Sequence, residues 1–431
     1  MNNNAVVAAG VNRVRLVVGG AEFTGWMKIR IEAGIERQAR SFELSVTDRW
    51  PGAGSKPAFL TRRIQPFDAC QVFIGNDLVL TGFVDATPLQ YDGTRVSVSV
   101  RGRSKTCDLV DCSPPDAGAA PSAGTIPSSS TAVSWADVKG KHGKTGTVVK
   151  PAASHTNVWR NAKLEVIAAA LAAPYGVRVL TEIDTGSPIL EHQVQVGETV
   201  FESMDRLMRL RHVLSTDNER GDLVLIDVGS AGHATTALEL GKNIREGSSE
   251  LDFKAVMSRY VVKGQRAGND EDFGQDANEV EGNDDQEAAF EGGTTTIGAP
   301  LTSSILDARA KRLRVLVIKQ TGQADAGTCQ DRALYERAHR AAKALETIYT
   351  VAGWRQEDGS LWVPNLLVRV RDPLIGFDQT MVIAEVHYEL DERGLRCQLR
   401  VGPPEGYRSK VAKPRKGKVK KGGGANWSDV Q

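Results

Sequence analysis

The sequence is poor in the residues from which disulfide scaffolds and metal centres are built. Its 431 residues include five cysteines at scattered positions: Cys70, Cys107, Cys112, Cys329 and Cys397. Cys107 and Cys112 lie close together, but no second pair completes a zinc knuckle. We interpret all five as buried or unused thiols of a protein kept in a reducing cytoplasm.

Long apolar runs and an excess of charge of one sign are missing as well. No stretch approaches the roughly 20 apolar residues of a membrane-spanning helix, and the N-terminal residues lack the pattern of a secretion signal. The formal net charge is +1, so global electrostatics recruit neither nucleic acid nor an anionic membrane. We therefore expect no membrane segment and no partner held by overall charge.

Catalytic motifs are also lacking. The seven histidines stand apart, without HExxH or other paired spacing: His142, His155, His192, His212, His233, His339 and His387. The sequence has no GxSxG elbow, and the Gly-Lys-Thr triplet within residues 140–146 follows a Ser/Pro-rich stretch instead of a strand. Carboxylates are too numerous for a glycosidase pair to be excluded by counting, but aromatics form only 6% of the chain. We predict that the chain is not an enzyme, with no catalytic, cofactor-binding or metal-binding residues.

Alternating apolar residues are what the first hundred residues do contain. Three segments place an apolar side chain at every second position: Val14, Leu16 and Val18; Phe42, Leu44 and Val46; Val96, Val98 and Val100. This period is typical of half-buried antiparallel strands, and Asp92-Gly93 is a hairpin turn signal. The pattern predicts a first small antiparallel β-barrel within residues 1–112.

The middle of the chain changes character twice. Residues 113–155 are rich in Pro, Gly and Ser and predict a flexible linker or surface loop. Residues 156–235 predict an α+β domain, since apolar residues recur at helical spacing from Leu164 until Pro174. Thr199 and Glu202 fit a capping box at the start of a second helix, and a hairpin should follow it.

Strand patterns return in the last part of the chain. Residues 236–407 predict a second β-barrel, with an acidic insertion at 266–298 that carries Asp284-Asp285 without calcium-loop spacing. A helix is expected at 331–349, and strands are expected at 253–262, 314–318, 361–370, 380–389 and 395–401. Residues 408–431 form a Lys/Arg-rich tail that we expect to be disordered. The tail has three open roles: solubilising the chain, docking an acidic partner, or contacting nucleic acid nonspecifically.

Two segments of the chain share the same residue pattern. The first begins at Pro66 and ends at Gly102, and the second begins at Pro364 and ends at Gly402. Each reads as proline, strand, polar turn, apolar strand, polar turn, alternating strand and glycine. This repeat predicts a duplicated barrel, although any two antiparallel meanders look alike under binary patterning.

These segments carry a resemblance to a known family. Residues 41–48, 66–68 and 75–85 resemble the first barrel of the baseplate hub proteins, or tail protein P family, of Mu-like contractile-tailed phages. Residues 197–199 and 221–225 resemble the middle domain of that family, and residues 362–365 with the closing strands resemble its second barrel. The insertion and the tail have no counterpart in the resemblance.

The resemblance implies a structural role. A mainly β chain with an α+β middle domain and two similar barrels would assemble as a ring-shaped homotrimer, whose six barrels adapt a threefold central spike to a sixfold tail tube. The tape-measure protein and DNA would pass through its channel, and other baseplate proteins would bind around it. The expected location is the tail baseplate of the virion, after assembly in the host cytoplasm. The alternatives are a tail-associated peptidoglycan-degrading enzyme and a hub-like adaptor of a contractile injection or secretion system.

Overall fold

The computed structural model describes most of the chain. The described residues are 10–49, 64–91, 95–115, 147–149, 157–211, 213–265, 301–323 and 326–407. Several features singled out above lie outside them: most of the linker at 113–155, the segment 140–146, His142, His155, His212, the acidic insertion 266–298 and the basic tail 408–431. The predictions made for these features stay predictions, as do the domain boundaries.

The first part of the chain is a run of antiparallel strands followed by one short helix. The elements are β1 (Val14–Val18), β2 (Ala21–Phe23), β3 (Lys28–Gly34), β4 (Ser41–Arg49), β5 (Ala69–Ile74), β6 (Asp77–Ala86), β7 (Leu89–Tyr91), β8 (Arg95–Ser104) and α1 (Cys107–Asp111). Their order in the sheet is β3-β4-β8-β6-β5-β1-β2, with β7 also paired to β8. Leu16, Leu44 and Leu80 are fully buried, which confirms the period-two pattern read from the sequence.

The middle part is a small α+β unit. It contains β9 (Thr147–Val148), β10 (Val158–Ala162), α2 (Leu164–Ala172), β11 (Val179–Thr181), β12 (Ile189–Gln193), α3 (Val200–Arg211), β13 (Leu214–Asp217) and β14 (Leu223–Ile226). The predicted hairpin is confirmed, because β13 and β14 pair antiparallel. β9 is a strand inside the predicted linker, and it pairs with β11.

Local signals at the helix ends behave as the sequence predicts. The Thr199 hydroxyl accepts from the Glu202 amide at 3.1 Å, and the Glu202 carboxylate accepts from the Thr199 amide at 2.8 Å. These reciprocal bonds satisfy two amides that α3 itself leaves unpaired. Helix α2 ends in a 3-10 turn at Ala173–Tyr175, after which Gly176 adopts φ of 66°.

The last part returns to strands around one long helix. Its elements are β15 (Leu238–Glu239), β16 (Ile244–Ser249), β17 (Arg259–Gln265), β18 (Leu301–Leu306), β19 (Val315–Gln323), α4 (Ala326–Lys343), β20 (Thr347–Ala352), β21 (Leu367–Asp372), β22 (Phe377–Asp391) and β23 (Gly394–Gly402). Strands β18, β17 and β19 form a separate sheet. Helix α4 buries Cys329 and Ala333 against this sheet.

Three predictions for this part were wrong in detail. The helix predicted at 331–349 spans Ala326–Lys343, and β20 starts at Thr347 because its β-branched residues favour a strand. The strand predicted from Phe253 begins with a 3-10 turn at Phe253–Ala255, where Asp252 caps the Lys254 amide. The strand predicted from residue 361 begins at Leu367.

The two strand-rich parts share a single sheet. It has 14 strands and runs β16-β20-β23-β22-β3-β4-β8-β6-β5-β1-β2, with β21 and β15 branching from β22. The mainly β fold is confirmed, but the two small antiparallel β-barrels expected in one chain are not closed, since neither part closes on itself in the described residues. The reason is that β22 pairs with β3, which extends each half into the other. Apolar residues of both halves accordingly lie in one core cluster.

The order of strand pairing is nevertheless the same in both halves. In the first half the order is β3-β4-β8-β6-β5-β1, and in the second it is β16-β20-β23-β22-β21-β15. In both halves the third pair in this order carries a register shift: β8 with β6 at Val84/Ala86, and β23 with β22 at Ile383/Glu385. The repeat read from the sequence therefore corresponds to a repeated pairing order, which differs in direction at its last pair: β1 is antiparallel to β5, whereas β15 is parallel to β21.

A buried ion pair ties the middle unit to the first half. The Arg40 amide donates to Asp217 Oδ2 at 3.0 Å, and its guanidinium Nε donates to Oδ1 at 3.3 Å. The Asp217 side chain is fully buried and that of Arg40 is 15% exposed. Burial raises the pKa of Asp217, and Arg40 offsets this effect only in part. Removing either partner would leave an uncompensated charge in the interior.

We predict that Asp217→Ala lowers the free energy of unfolding by about 3 kcal/mol, because it strands the Arg40 guanidinium in a buried site. Urea denaturation followed by circular dichroism measures the change. The matched control is Glu43→Ala, which breaks an exposed pair with Arg101 and should cost less than about 1 kcal/mol. Equal losses for the two variants would contradict the assignment.

Candidate assembly surface

The junction between the two halves is an antiparallel pairing of β22 with β3 through six residue pairs. Glu385 lies opposite Gly34, and the register continues through Tyr388 opposite Ile31 to Leu390 opposite Ile29. Tyr388 and Ile31 are buried, at 3% and 1% exposure. The Tyr388 hydroxyl donates to the Trp362 carbonyl. The junction is therefore packed like the interior of the sheet.

Charged side chains cover the outer face of this junction. The Arg37 guanidinium donates to Glu385 and lies 2.7 Å from Glu32. His387 Nε2 is 3.1 Å from Glu385, and Arg400 Nε is 3.1 Å from the other oxygen of the same carboxylate. Two carboxylates thus face two guanidinium groups and one imidazole across strands from different halves.

The cluster changes the acidity of its carboxyl groups. Burial raises the pKa of Glu385, but hydrogen bonds from His387 and Arg37 outweigh it and bring the pKa down to about 2. The pKa of Glu32 is also lowered, since Arg37, His387 and Arg30 together outweigh its burial. Both groups therefore stay charged at neutral pH and hold the two halves together as ion pairs.

Four strands of the described sheet have a neighbour on one side only: β2, β7, β15 and β16. Of these, β7 and β16 have the most exposed residues. β7 pairs with β8, and its residues are all exposed, with Leu89 at 48% and Tyr91 at 75%. β16 pairs with β20, and residues 245–248 on it are exposed. Open edges offer unpaired backbone donors and acceptors to another chain. These two edges, together with the junction, form the candidate assembly surface.

A basic cavity of about 570 Å³ lies on the second half, beside the 3-10 turn at Phe253–Ala255. Five of its eight lining residues are cationic: Lys254, Arg309, Lys311, Arg312 and Arg314. The Arg309 guanidinium is held by Asp307 at 2.9 Å. The lining offers no carboxyl group, so this cavity lacks the pair of carboxyls with which glycosidases work.

The cysteines and histidines are dispersed through the described residues. Four of the five cysteines are buried, and Cys112 is half-buried. Burial raises the pKa of Cys70 and Cys107 to about 12, so both stay protonated at neutral pH. His192 stacks on Trp159 and lies 2.9 Å from the Ser203 hydroxyl, and burial lowers its pKa to about 4.

No group of three or more His, Cys, Asp or Glu residues in the described ranges is arranged to hold a metal ion. Within the same ranges, no helix is long and apolar enough to span a bilayer.

Sequence reasoning did not identify the assembly surface. The pairing of β3 with β22 joins residues more than 300 positions apart, and local patterns do not encode such a contact. A signal for the β7 edge was available in Leu89-Gln90-Tyr91, which alternates like a strand immediately after Pro88. The sequence of β16 gives a weaker strand signal, because its residues do not alternate between buried and exposed and only Ile244 is buried.

Three family models match successive parts of the chain. Residues 13–104 match the N-terminal domain of Mu phage baseplate assembly protein GpP-like proteins, and residues 145–227 match the second domain of baseplate hub protein gp44-like proteins. Residues 325–410 match the fourth domain of Mu phage baseplate assembly protein GpP. The matched ranges contain β1 to β8, the middle unit and the part of the second half from α4 to β23.

Whole-chain relatives agree with these matches. The baseplate hub protein gp44 of Escherichia phage Mu is 29% identical over 420 residues, covering 96% of this chain and 93% of that protein. The 43 kDa tail protein of prophage MuSo2 from Shewanella oneidensis is 27% identical, with a TM-score of 0.68 over 92% of this chain and 99% of that one. A tail protein from Neisseria meningitidis MC58, at 18% identity, has a TM-score of 0.66 over 93% and 99% of the two chains, which shows a shared fold.

The chain is mainly β and repeats one order of strand pairing, and its relatives are baseplate and tail proteins. It is therefore a structural protein of a phage tail. It belongs to the baseplate hub protein family of Mu-like phages, which confirms the resemblance found in the sequence.

We predict that Glu385→Gln destabilises the chain by about 3 kcal/mol at pH 6, because the carboxylate is stabilised by charged partners only in the folded state. Its folded pKa of about 2 lies below the ordinary value of 4.5. The stabilisation is therefore complete above pH 4.5 and is lost as the pH falls towards 2. Urea denaturation at pH 6, 4 and 3 measures the difference from the unchanged chain, and a difference independent of pH would contradict the prediction.

Proposed function

We propose that this hub protein assembles as a closed homotrimer that adapts a threefold central spike to a sixfold tail tube in the baseplate of a contractile phage tail. The observation that carries the proposal is the pairing order found twice in one chain. Two equivalent halves in each of three copies supply six similar positions around one axis, which is what a sixfold partner requires.

The trimer would also supply the channel that one chain lacks. The shared sheet of the described residues is open, so a single copy does not enclose a lumen. Cyclic closure of three copies produces one without further elements. We propose that the tape-measure protein and DNA pass through this channel, and that the spike, the tube and other baseplate proteins bind the rims of the ring.

Charge and location fit the same role. The basic tail at 408–431 extends from the second half and would dock an acidic neighbour, solubilise the chain or contact nucleic acid. The proposed location is the tail baseplate of the virion, following assembly in the host cytoplasm. The proposed domains are 1–112, 156–235 and 236–407, joined by the linker 113–155.

A non-catalytic role is supported by where the ionisable groups lie. The ion pairs of Glu385 and Asp217 lie at packing junctions, and the basic cavity has no carboxyl lining. A peptidoglycan-degrading activity would clear a suspension of purified bacterial walls, and we expect no fall in turbidity with this chain.

We predict that three copies of the full chain associate, which gives a solution mass of three times 46.5 kDa for the chain alone, or that mass plus the mass of the spike protein in a complex with it. Multi-angle light scattering over a range of concentrations measures this mass. The baseline control is the same chain in a mild denaturant that dissociates oligomers. A monomer or a twofold dimer that persists at high concentration with the spike protein present would contradict the hub assignment.

A further inference from the structure

The two halves can be matched residue by residue through their last strands. Leu89 lies opposite Val98, which is on β8, and Tyr388 lies opposite Cys397, which is on β23. The register shifts at Val84/Ala86 and Ile383/Glu385 make Gly102 equivalent to Val401. Val98 and Cys397 each lie four residues before these positions, so they are equivalent, and Leu89 is the counterpart of Tyr388. One step further along, Tyr91 opposite Val96 matches Leu390 opposite Leu395. β7 is therefore the counterpart of the far end of β22.

The counterparts differ in what covers them. In the second half, β3 occupies the outer edge of β22, and Tyr388 is 3% exposed. In the first half no described strand occupies the outer edge of β7, and Leu89 and Tyr91 are 48% and 75% exposed. The first half thus leaves two large side chains exposed on an open edge, at the position where β3 covers β22 in the second half.

β16 of the second half is the counterpart of β3, the strand that covers the outer edge of β22. Ile29 pairs with Leu44, which pairs with Val100, in the first half. Gly247 pairs with Tyr349, which pairs with Leu399, in the second half. β3 has a second neighbour in β22, whereas β16 has none among the described strands and exposes residues 245–248.

We propose that β7 of one copy pairs antiparallel with β16 of the next copy, and so repeats between chains the junction that β22 and β3 make within one. The register follows from the equivalences: Tyr91 faces Gly247, Gln90 faces Ser248 and Leu89 faces Ser249 of the neighbouring copy. The inference rests on the proposed hub function and specifies which surfaces close the ring.

The chemistry of the two edges suits this pairing. The backbone groups of both edges gain partners, which removes an aggregation hazard from each copy. Tyr91 lies across from Gly247, and an aromatic side chain covering an edge glycine stabilises a sheet at that point. Gln90 and Ser248 are both uncharged, so no like charges meet. Each copy has one edge of each kind, so the contact is heterologous, and a rotation of a third of a turn between successive copies closes it into a ring.

The direct test is disulfide trapping between full-length chains. Gln90→Cys and Ser248→Cys are made in separate chains, mixed, oxidised and run on a non-reducing gel. Directly opposite residues have Cβ atoms about 5 Å apart, so we expect a covalent dimer that reductant reverses. The matched control mixes Gln90→Cys with Val196→Cys, a fully exposed position between β12 and α3, and should give less than about a tenth of the product.

A second variant tests the edge without new thiols. Tyr91→Asp should abolish the oligomer and keep the circular dichroism spectrum, because the side chain is exposed in a single copy. Leu190→Asp, at a similarly exposed position, should assemble normally. A trimer that forms without trapping at 90 and 248 would overturn this inference and leave the hub function standing. Absence of any oligomer with the spike protein would instead contradict the hub function itself.

Discussion

The pairing of β3 with β22 is the contact on which the rest of the structure depends. Residues far apart in the chain meet there, and the contact turns two meanders into one sheet with one shared core. Glu385, His387 and Arg400 from one half then meet Glu32 and Arg37 from the other. Strand edges need partners because buried backbone donors and acceptors are costly to leave unpaired.

The duplication is not symmetrical, and the differences explain why a single chain leaves edges open. β22 is continuous over 15 residues, whereas its counterpart is divided into β6 and β7 around Thr87 and Pro88. Proline donates no ladder hydrogen bond, so the strand is interrupted there. The second half also inserts β17, β18, β19 and α4 between β16 and β20, while β3 continues to β4 after a short loop. Of the two equivalent junctions, the pairing of β22 with β3 is therefore made within the chain, whereas β7 and β16 are left for the proposed contact between copies.

Much of the local structure could be predicted from the sequence. Period-two patterns located the strands around Leu16, Leu44 and Val100, and the Thr199 capping box located the start of α3, because these signals depend on neighbouring residues. The end of α4 was misplaced because Leu345 and Ile348 continue the helical spacing, although Ile348 lies in β20. The shared sheet and the ion pair of Arg40 with Asp217 could not be predicted, since both depend on contacts between distant segments.

A density map of the assembled oligomer from single-particle electron cryomicroscopy tests the central claim most directly. The account predicts three copies around a channel, with β7 of each copy hydrogen-bonded to β16 of the next and Tyr91 packed across Gly247. A ring whose copies meet through other surfaces, with β7 and β16 exposed to solvent, would contradict it.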